Sequence, residues 1–143
     1  MMVDYNNIKE YLDWTAQKAE IKYNSKALNF PVLPNCLYWA FMGDNIGSEE
    51  GKHRPILVLR TYKNSPLCSV VPLTTQRLND GYWYHIDLKD IHSSVLCEQM
   101  RTMDQKRIDK PYRIKGKIAK ICASDWDKIN KQIKWLYRMT DLK

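Results

Sequence analysis

The chain has 143 residues, of which 44% are apolar and 27% charged, the composition of one globular domain and not of a disordered chain. Lys and Arg number 23 against 16 Asp and Glu, a net charge of +7, which suits a polyanionic partner: nucleic acid, an acidic protein tail or an anionic membrane surface. The longest purely apolar run, Cys36 to Met42, is far shorter than the about 20 residues of a membrane span, and the opening MMVDYNNIKE has neither the basic nor the apolar region of a signal peptide, so the expected location is the cytoplasm.

Residues 1–33 are polar and free of glycine. Tyr5, Ile8, Leu12, Thr15 and Ala19 recur at helical spacing, beside a second stripe of Tyr11, Trp14, Lys18 and Ile21. With Asp4 as N-cap, they predict one amphipathic helix from about Tyr5 to Tyr23. Pro31 and Pro34 then break helix geometry and mark a linker.

From Cys36 the period changes toward strands. Cys36 to Phe41, Ile56 to Tyr62, Leu67 to Leu73, Tyr82 to Leu88, Val95 to Met103 and Tyr112 to Ile121 are the strand candidates. They are separated by the polar loop Gly43 to His53 and by the turns Lys63-Asn-Ser-Pro66 and Asn79-Asp80-Gly81. Short strands without long helices between them predict a small antiparallel barrel. Ser124 and Asp127 give an S-x-x-D capping signature. Trp126, Ile129, Ile133, Leu136 and Tyr137 follow at steps of three and four residues, so a C-terminal helix packing on the barrel is expected. The expected division is residues 1–33 as helical extension and linker and 34–143 as barrel domain.

The four cysteines, Cys36, Cys68, Cys97 and Cys122, form no C-x-x-C pair, and reduced core thiols are the favoured reading. His53, His85 and His92 show no metal-ligand spacing. There is no G-x-S-x-G, Walker or G-x-G-x-x-G motif, and no metal or cofactor is expected. Three stretches remain. In Gly47-Ser-Glu-Glu-Gly-Lys-His-Arg-Pro55 an arginine stands at the root of a strand below a flexible loop, where a guanidinium can hold a phosphate bidentately; an ordinary surface arginine is the simpler reading. In Val70-Val-Pro-Leu-Thr-Thr-Gln76 a buried strand emerges into two hydroxyls and an amide, groups that bond phosphates or base edges, or only the local backbone. In Ser94-Val-Leu-Cys-Glu-Gln-Met-Arg-Thr-Met-Asp104 the alternation leaves Gln99, Arg101 and Asp104 polar beside an apolar strand.

In this order the three stretches resemble the MazF/PemK family of bacterial toxin endoribonucleases. That family runs G-S-E-Q-x-G-x-R-P, then P-L-T-[ST], then V-L-x-[ED]-Q-[IV]-[RK]-[TS]-[IV]-D; here the matching segments are GSEEGKHRP, VPLTTQ and VLCEQMRTMD. The resemblance covers roughly Leu37 to the C-terminus. Glu50 replaces the family glutamine, the second glycine has moved by one place, Asn35-Cys36 stands for Gly-Asp, and the N-terminal helix is additional.

The resemblance implies a mostly β, α+β fold: a small SH3-like antiparallel barrel of the MazF/PemK/CcdB type with a C-terminal helix. It implies a homodimer, an acidic MazE/PemI-like antitoxin, and metal-independent cleavage of single-stranded RNA to 2′,3′-cyclic phosphate and 5′-hydroxyl ends. Arg54 and Thr74 would be catalytic. Ser48, Glu49, Glu50, His53, Thr75, Gln76, Gln99 and Arg101 would bind substrate, with Glu49, Glu50 and His53 available for proton transfer. Tyr82, Trp83 and Tyr84 follow a turn and could stack on bases. The alternatives are a CcdB-like toxin that binds a protein without cutting anything, and an inactive RNA-binding relative.

Overall fold

A computed structural model describes residues 3–24 and 27–138. Helix α1 (Tyr5–Asn24) begins where expected: the Asp4 carboxylate accepts the Asn6 N–H at 3.2 Å. Its contact face is not the more apolar stripe. Tyr5, Ile8 and Leu12 of the first stripe are exposed, whereas Trp14 and Ile21 of the second are half-buried against the body, with Tyr11 and Lys18 of that stripe exposed. Trp14 lies over Gly43, where an added Cβ would meet the indole at 3.2 Å, so the loop root needs glycine for this approach as well as for its φ of +97°.

The strands are β1 (Leu37–Phe41), β2 (His53–Thr61), β3 (Leu67–Thr74), β4 (His85–Asp87), β5 (Ser94–Leu96), β6 (Arg101–Asp104), β7 (Ile108–Pro111), β8 (Arg113–Ile114) and β9 (Lys117–Ile118). The main sheet runs β4-β5-β3-β2-β1-β7, with β6 also on β3. Every named strand pairing is antiparallel. Along one edge of β3, Leu67 to Val70 pair with β6 while Leu73 and Thr74 pair with β5, which bends the sheet.

Both faces of the central strands are covered, so they read as nearly continuous apolar runs. Leu37, Leu57, Val71 and Leu73 join the core under helix α2 (Ala123–Leu136), with Ile129 fully buried and Trp126, Ile133 and Leu136 around it. Tyr38, Ile56, Val58 and Val70 point the other way, into a second core closed by Met103, Ile108 and the incoming Leu28, Phe30 and Val32. The buried Tyr38 hydroxyl fixes that incoming segment: it donates to Pro31 O at 2.8 Å and accepts from Leu33 N at 2.9 Å.

The fold class is as expected, a mostly antiparallel sheet with a helix at each end. Three local expectations need correction. The run Val95 to Met103 is interrupted by a helical turn at Cys97–Gln99, because Cys97 must stay in the core while Gln99 turns to the loop. Tyr112 to Ile121 is a short β8–β9 hairpin around Lys115 and Gly116, both at positive φ. Helix α2 is preceded by Cys122, not capped by Ser124, which lies in its first turn. Asp125 turns inward instead and accepts Lys89 N–H at 2.9 Å.

Candidate active site

Two strand ends and one loop build the site. The β2–β3 register pairs Ile56 with Pro72; carried two residues further, it sets Arg54 opposite Thr74. Residues opposite each other in an antiparallel pair project to the same face. The Arg54 guanidinium confirms the proximity of the two ends, since Nη1 reaches Leu73 O at 3.5 Å, while Nε donates to Gly51 O at 2.6 Å. Thr74 is half-buried and its Oγ1 accepts Gln76 N–H at 3.2 Å. Thr75 and Gln76 follow it, exposed.

The loop from Gly43 to Lys52 folds over this place. Its two ends touch: a Cβ on Gly51 would fall 2.5 Å from Gly43 O, so only glycine allows the approach. Asn45 Nδ2 donates to Met42 O at 3.0 Å and to Glu50 O at 2.8 Å. Gln99 clasps the loop from the other side, accepting Glu50 N–H at 2.7 Å and donating to Ser48 O at 3.3 Å. The Glu49 carboxylate accepts Ile46 N–H at 3.1 Å, and Glu50 Oε2 pairs with Arg54 Nη1 at 2.5 Å. Beneath the loop is a cavity of about 660 Å³, with Ser48, Glu49, Glu50, Gln99 and Arg101 in its wall.

The structure thus brings Ser48, Glu49, Glu50, Arg54, Gln99 and Arg101 together, with Thr74 beside them. His53 is apart from this group. It neighbours Arg54 on β2, and successive side chains of a strand point to opposite faces. Its ring stacks on Trp39 and its Nε2 lies 3.0 Å from Asp109 Oδ2. Tyr82 and Trp83 are about half exposed, and Tyr82 packs against Tyr84 and His85.

Glu98 was not among the residues singled out from the sequence, yet it lines the cavity. Its place beside Gln99 in the L-C-E-Q run was the available signal. Behind it, His85 Nε2 lies 2.8 Å from Glu98 Oε1 and Nδ1 lies 2.6 Å from Asp80 Oδ2. A protonated imidazolium can donate to both carboxylates, a neutral ring to one. Burial would raise the Asp80 carboxyl pKa, but the His85 hydrogen bond, the Tyr82 N–H and the charges of His85 and Arg77 outweigh it and hold the group below its ordinary value. No local sequence pattern predicts this triple, which the β4–β5 pairing assembles.

Cys36, Cys68 and Cys97 lie in the cores, and Cys122 is half-exposed. Burial pushes Cys68 up to about 11 and Cys97 up to about 12, far from the thiolate a nucleophile needs.

The sequence profile of the "PemK-like, MazF-like toxin of type II toxin-antitoxin system" family matches residues 36–137. A comparison with curated protein sequences returned no match. Among solved structures, the chain is similar to MazF from Deinococcus radiodurans, with 21% identity and a TM-score of 0.63 over 78% of this chain and all of that one. The same protein in its MazE–MazF complex gives a TM-score of 0.60, with the same identity and coverage. An endoribonuclease from a Mycobacterial species, solved with its cognate antitoxin, matches at 13% identity and a TM-score of 0.56, again over 78% of this chain and all of that one. At such identities the likeness is one of fold.

Proposed function

This chain belongs to the PemK-like, MazF-like toxin family of type II toxin–antitoxin systems, and from that premise we propose that it is a metal-independent, sequence-specific endoribonuclease. It cuts single-stranded messenger RNA and so stops translation and growth. The observation that carries the reading is the Arg54 guanidinium, which reaches Leu73 O beside Thr74 and pairs with Glu50 in the wall of a cavity that Gln99 and Arg101 also line.

In the reaction, the ribose 2′-hydroxyl attacks the adjacent phosphorus and its proton passes to a base. The bond to the 5′-oxygen breaks and that oxygen takes up a proton, leaving a 2′,3′-cyclic phosphate and a 5′-hydroxyl. Arginine stays charged and brings a planar fork of donors, so Arg54 balances the charge growing on the phosphorane oxygens. The Thr74 hydroxyl donates to the same group. Glu50 is already paired with Arg54, which makes Glu49 the loop carboxylate for the 2′-hydroxyl proton. Gln99 and Gln76 offer amides to base edges.

The protein works in the cytoplasm as a homodimer and is held inactive by an acidic antitoxin; two of the similar structures contain an antitoxin, and a charge of +7 favours such a partner. The test is cleavage of varied RNAs in EDTA, with product ends mapped. Defined cuts bearing cyclic phosphate, absent in Arg54→Ala, are expected. No cleavage by well-folded protein would shift the reading to a toxin that binds a protein, or to an inactive RNA-binding relative.

A further inference from the structure

We propose that the cleft between α1 and the helical turn Gln105–Arg107 is a second anion site, which holds a backbone phosphate of single-stranded RNA beyond the cut. This rests on the reading of the main cavity as an RNA site and gives the N-terminal helix, which lies outside the family match, a part in substrate binding.

The cleft has a volume of about 200 Å³, with Trp14, Lys18 and Lys22 on one wall and Asp104, Lys106 and Arg107 on the other. Four cations therefore face one acid. Asp104 is partly engaged, since its Oδ1 accepts Lys106 N–H at 2.9 Å. Lys18 and Lys22 are one helical turn apart and exposed, and both line the cleft from the same side of α1; the Lys22 ammonium rests 5.1 Å from the centre of the Tyr23 ring. Arg107 is half-buried, its guanidinium 5.8 Å from the centre of the Trp14 ring. Burial, then the nearby Arg101 charge, lower its pKa, and Asp104 only partly opposes them. A cation so placed gains from an added anion.

The cleft continues a cationic track that begins in the main cavity. Arg101 Nη1 bonds Met42 O at 3.4 Å and Arg107 Nη1 bonds the preceding carbonyl, Phe41 O, at 3.3 Å. Arg101 belongs to the main cavity wall and Arg107 to the cleft, so two guanidiniums on adjacent carbonyls bridge them. The cleft on the other side of Trp14 has the opposite character, with Glu10, Asp13 and Asp44 against Lys52 and His53, and would repel a phosphate chain. Trp14 thus separates a basic track from an acidic one, and single-stranded RNA follows the basic side.

The experiment uses the full chain and a fluorescent single-stranded RNA of about a dozen nucleotides, 2′-O-methylated throughout so that no attacking hydroxyl remains. Affinity is measured against salt for wild type and for Lys18→Glu/Lys22→Glu. Neither lysine is buried, and circular dichroism checks that the helix persists. Kd is expected to rise about tenfold, and the log–log salt slope to fall in magnitude by about 0.7, the value for one phosphate contact on a single strand. Cleavage of a short RNA that fills only the main cavity should be unchanged. Equal affinity and equal slope in the two proteins would overturn the proposal. Loss of poly-glutamate binding in the variant with RNA binding kept would overturn it in favour of an acidic protein partner. If wild type cleaves RNA but the variant binds like wild type, only this inference falls. If wild type neither binds nor cleaves RNA, the reading of the main cavity falls with it.

Discussion

Glu50 and Arg54 form an ion pair at 2.5 Å in which both side chains are only about one-fifth exposed (21% and 20%). A carboxylate therefore lies on the guanidinium that the proposed reaction needs for phosphate. RNA binding must displace it, and a carboxylate beside a phosphate is repulsive. Glu50→Gln removes the competing charge. For an ion pair of about 1 kcal/mol, KM for RNA is expected to fall about fivefold with kcat kept. A loss of kcat of a hundredfold or more would instead make Glu50 the proton acceptor.

Arg54 and Thr74 project from the same face of neighbouring strands. Removing charge stabilisation from such a site costs about 10²–10³ in rate. Arg54→Ala and Thr74→Val are both expected to lose at least about a hundredfold in kcat while staying folded at the assay temperature by circular dichroism. Arg54→Lys should recover only part of it, because a point charge cannot reproduce the planar fork. Full activity in either truncation would remove that residue from the mechanism.

Gln99 holds the loop through Glu50 N and Ser48 O. Gln99→Ala leaves the half-buried Glu50 N–H without that acceptor, at a cost of about 1–2 kcal/mol. The loss is local to the loop. Amide exchange over Ser48 to Gly51 should quicken about tenfold while the core strands keep their protection; unchanged exchange would show that the loop is held by other contacts.

The Asp80–His85 pair sets an acid dependence of stability. The folded Asp80 carboxyl lies below its ordinary value, so the folded state favours the ionised form. That contribution is complete above about pH 5 and disappears as the pH falls through the folded pKa. Asp80→Asn should therefore lower urea stability at neutral pH, and its deficit should shrink steadily below about pH 4. A deficit independent of pH would mean that the side chain matters for its hydrogen bonds alone.

Cys68 and Cys97 are protected by burial and by thiol pKa values near 11 and 12. A thiol-disulfide reagent at pH 8 should modify Cys122, the half-exposed thiol, within minutes and the buried Cys36, Cys68 and Cys97 only after denaturant is added. Rapid native reaction at Cys97 would indicate that the β5 end opens on its own.

Periodicity alone determined both helices, the central strands and their apolar runs, because repeats of 3.6 and 2 residues are local properties of the chain. The family resemblance carried by three short motifs in order also pointed to Arg54, Thr74 and Gln99. Tertiary structure decided the rest. Which stripe of α1 meets the body depended on Gly43 leaving room for Trp14, not on which stripe is more apolar. His53 lies apart from the Arg54 group because adjacent residues of β2 face opposite ways, a placement that a loop reading of the same motif does not show. His85 meets Glu98 only through the β4–β5 pairing, and the basic track joins Arg101 and Arg107 to Lys18 and Lys22 of α1, far away in the chain. Such groups meet only after strand pairing and helix docking bring them together, and no window of sequence contains both sides of the contact.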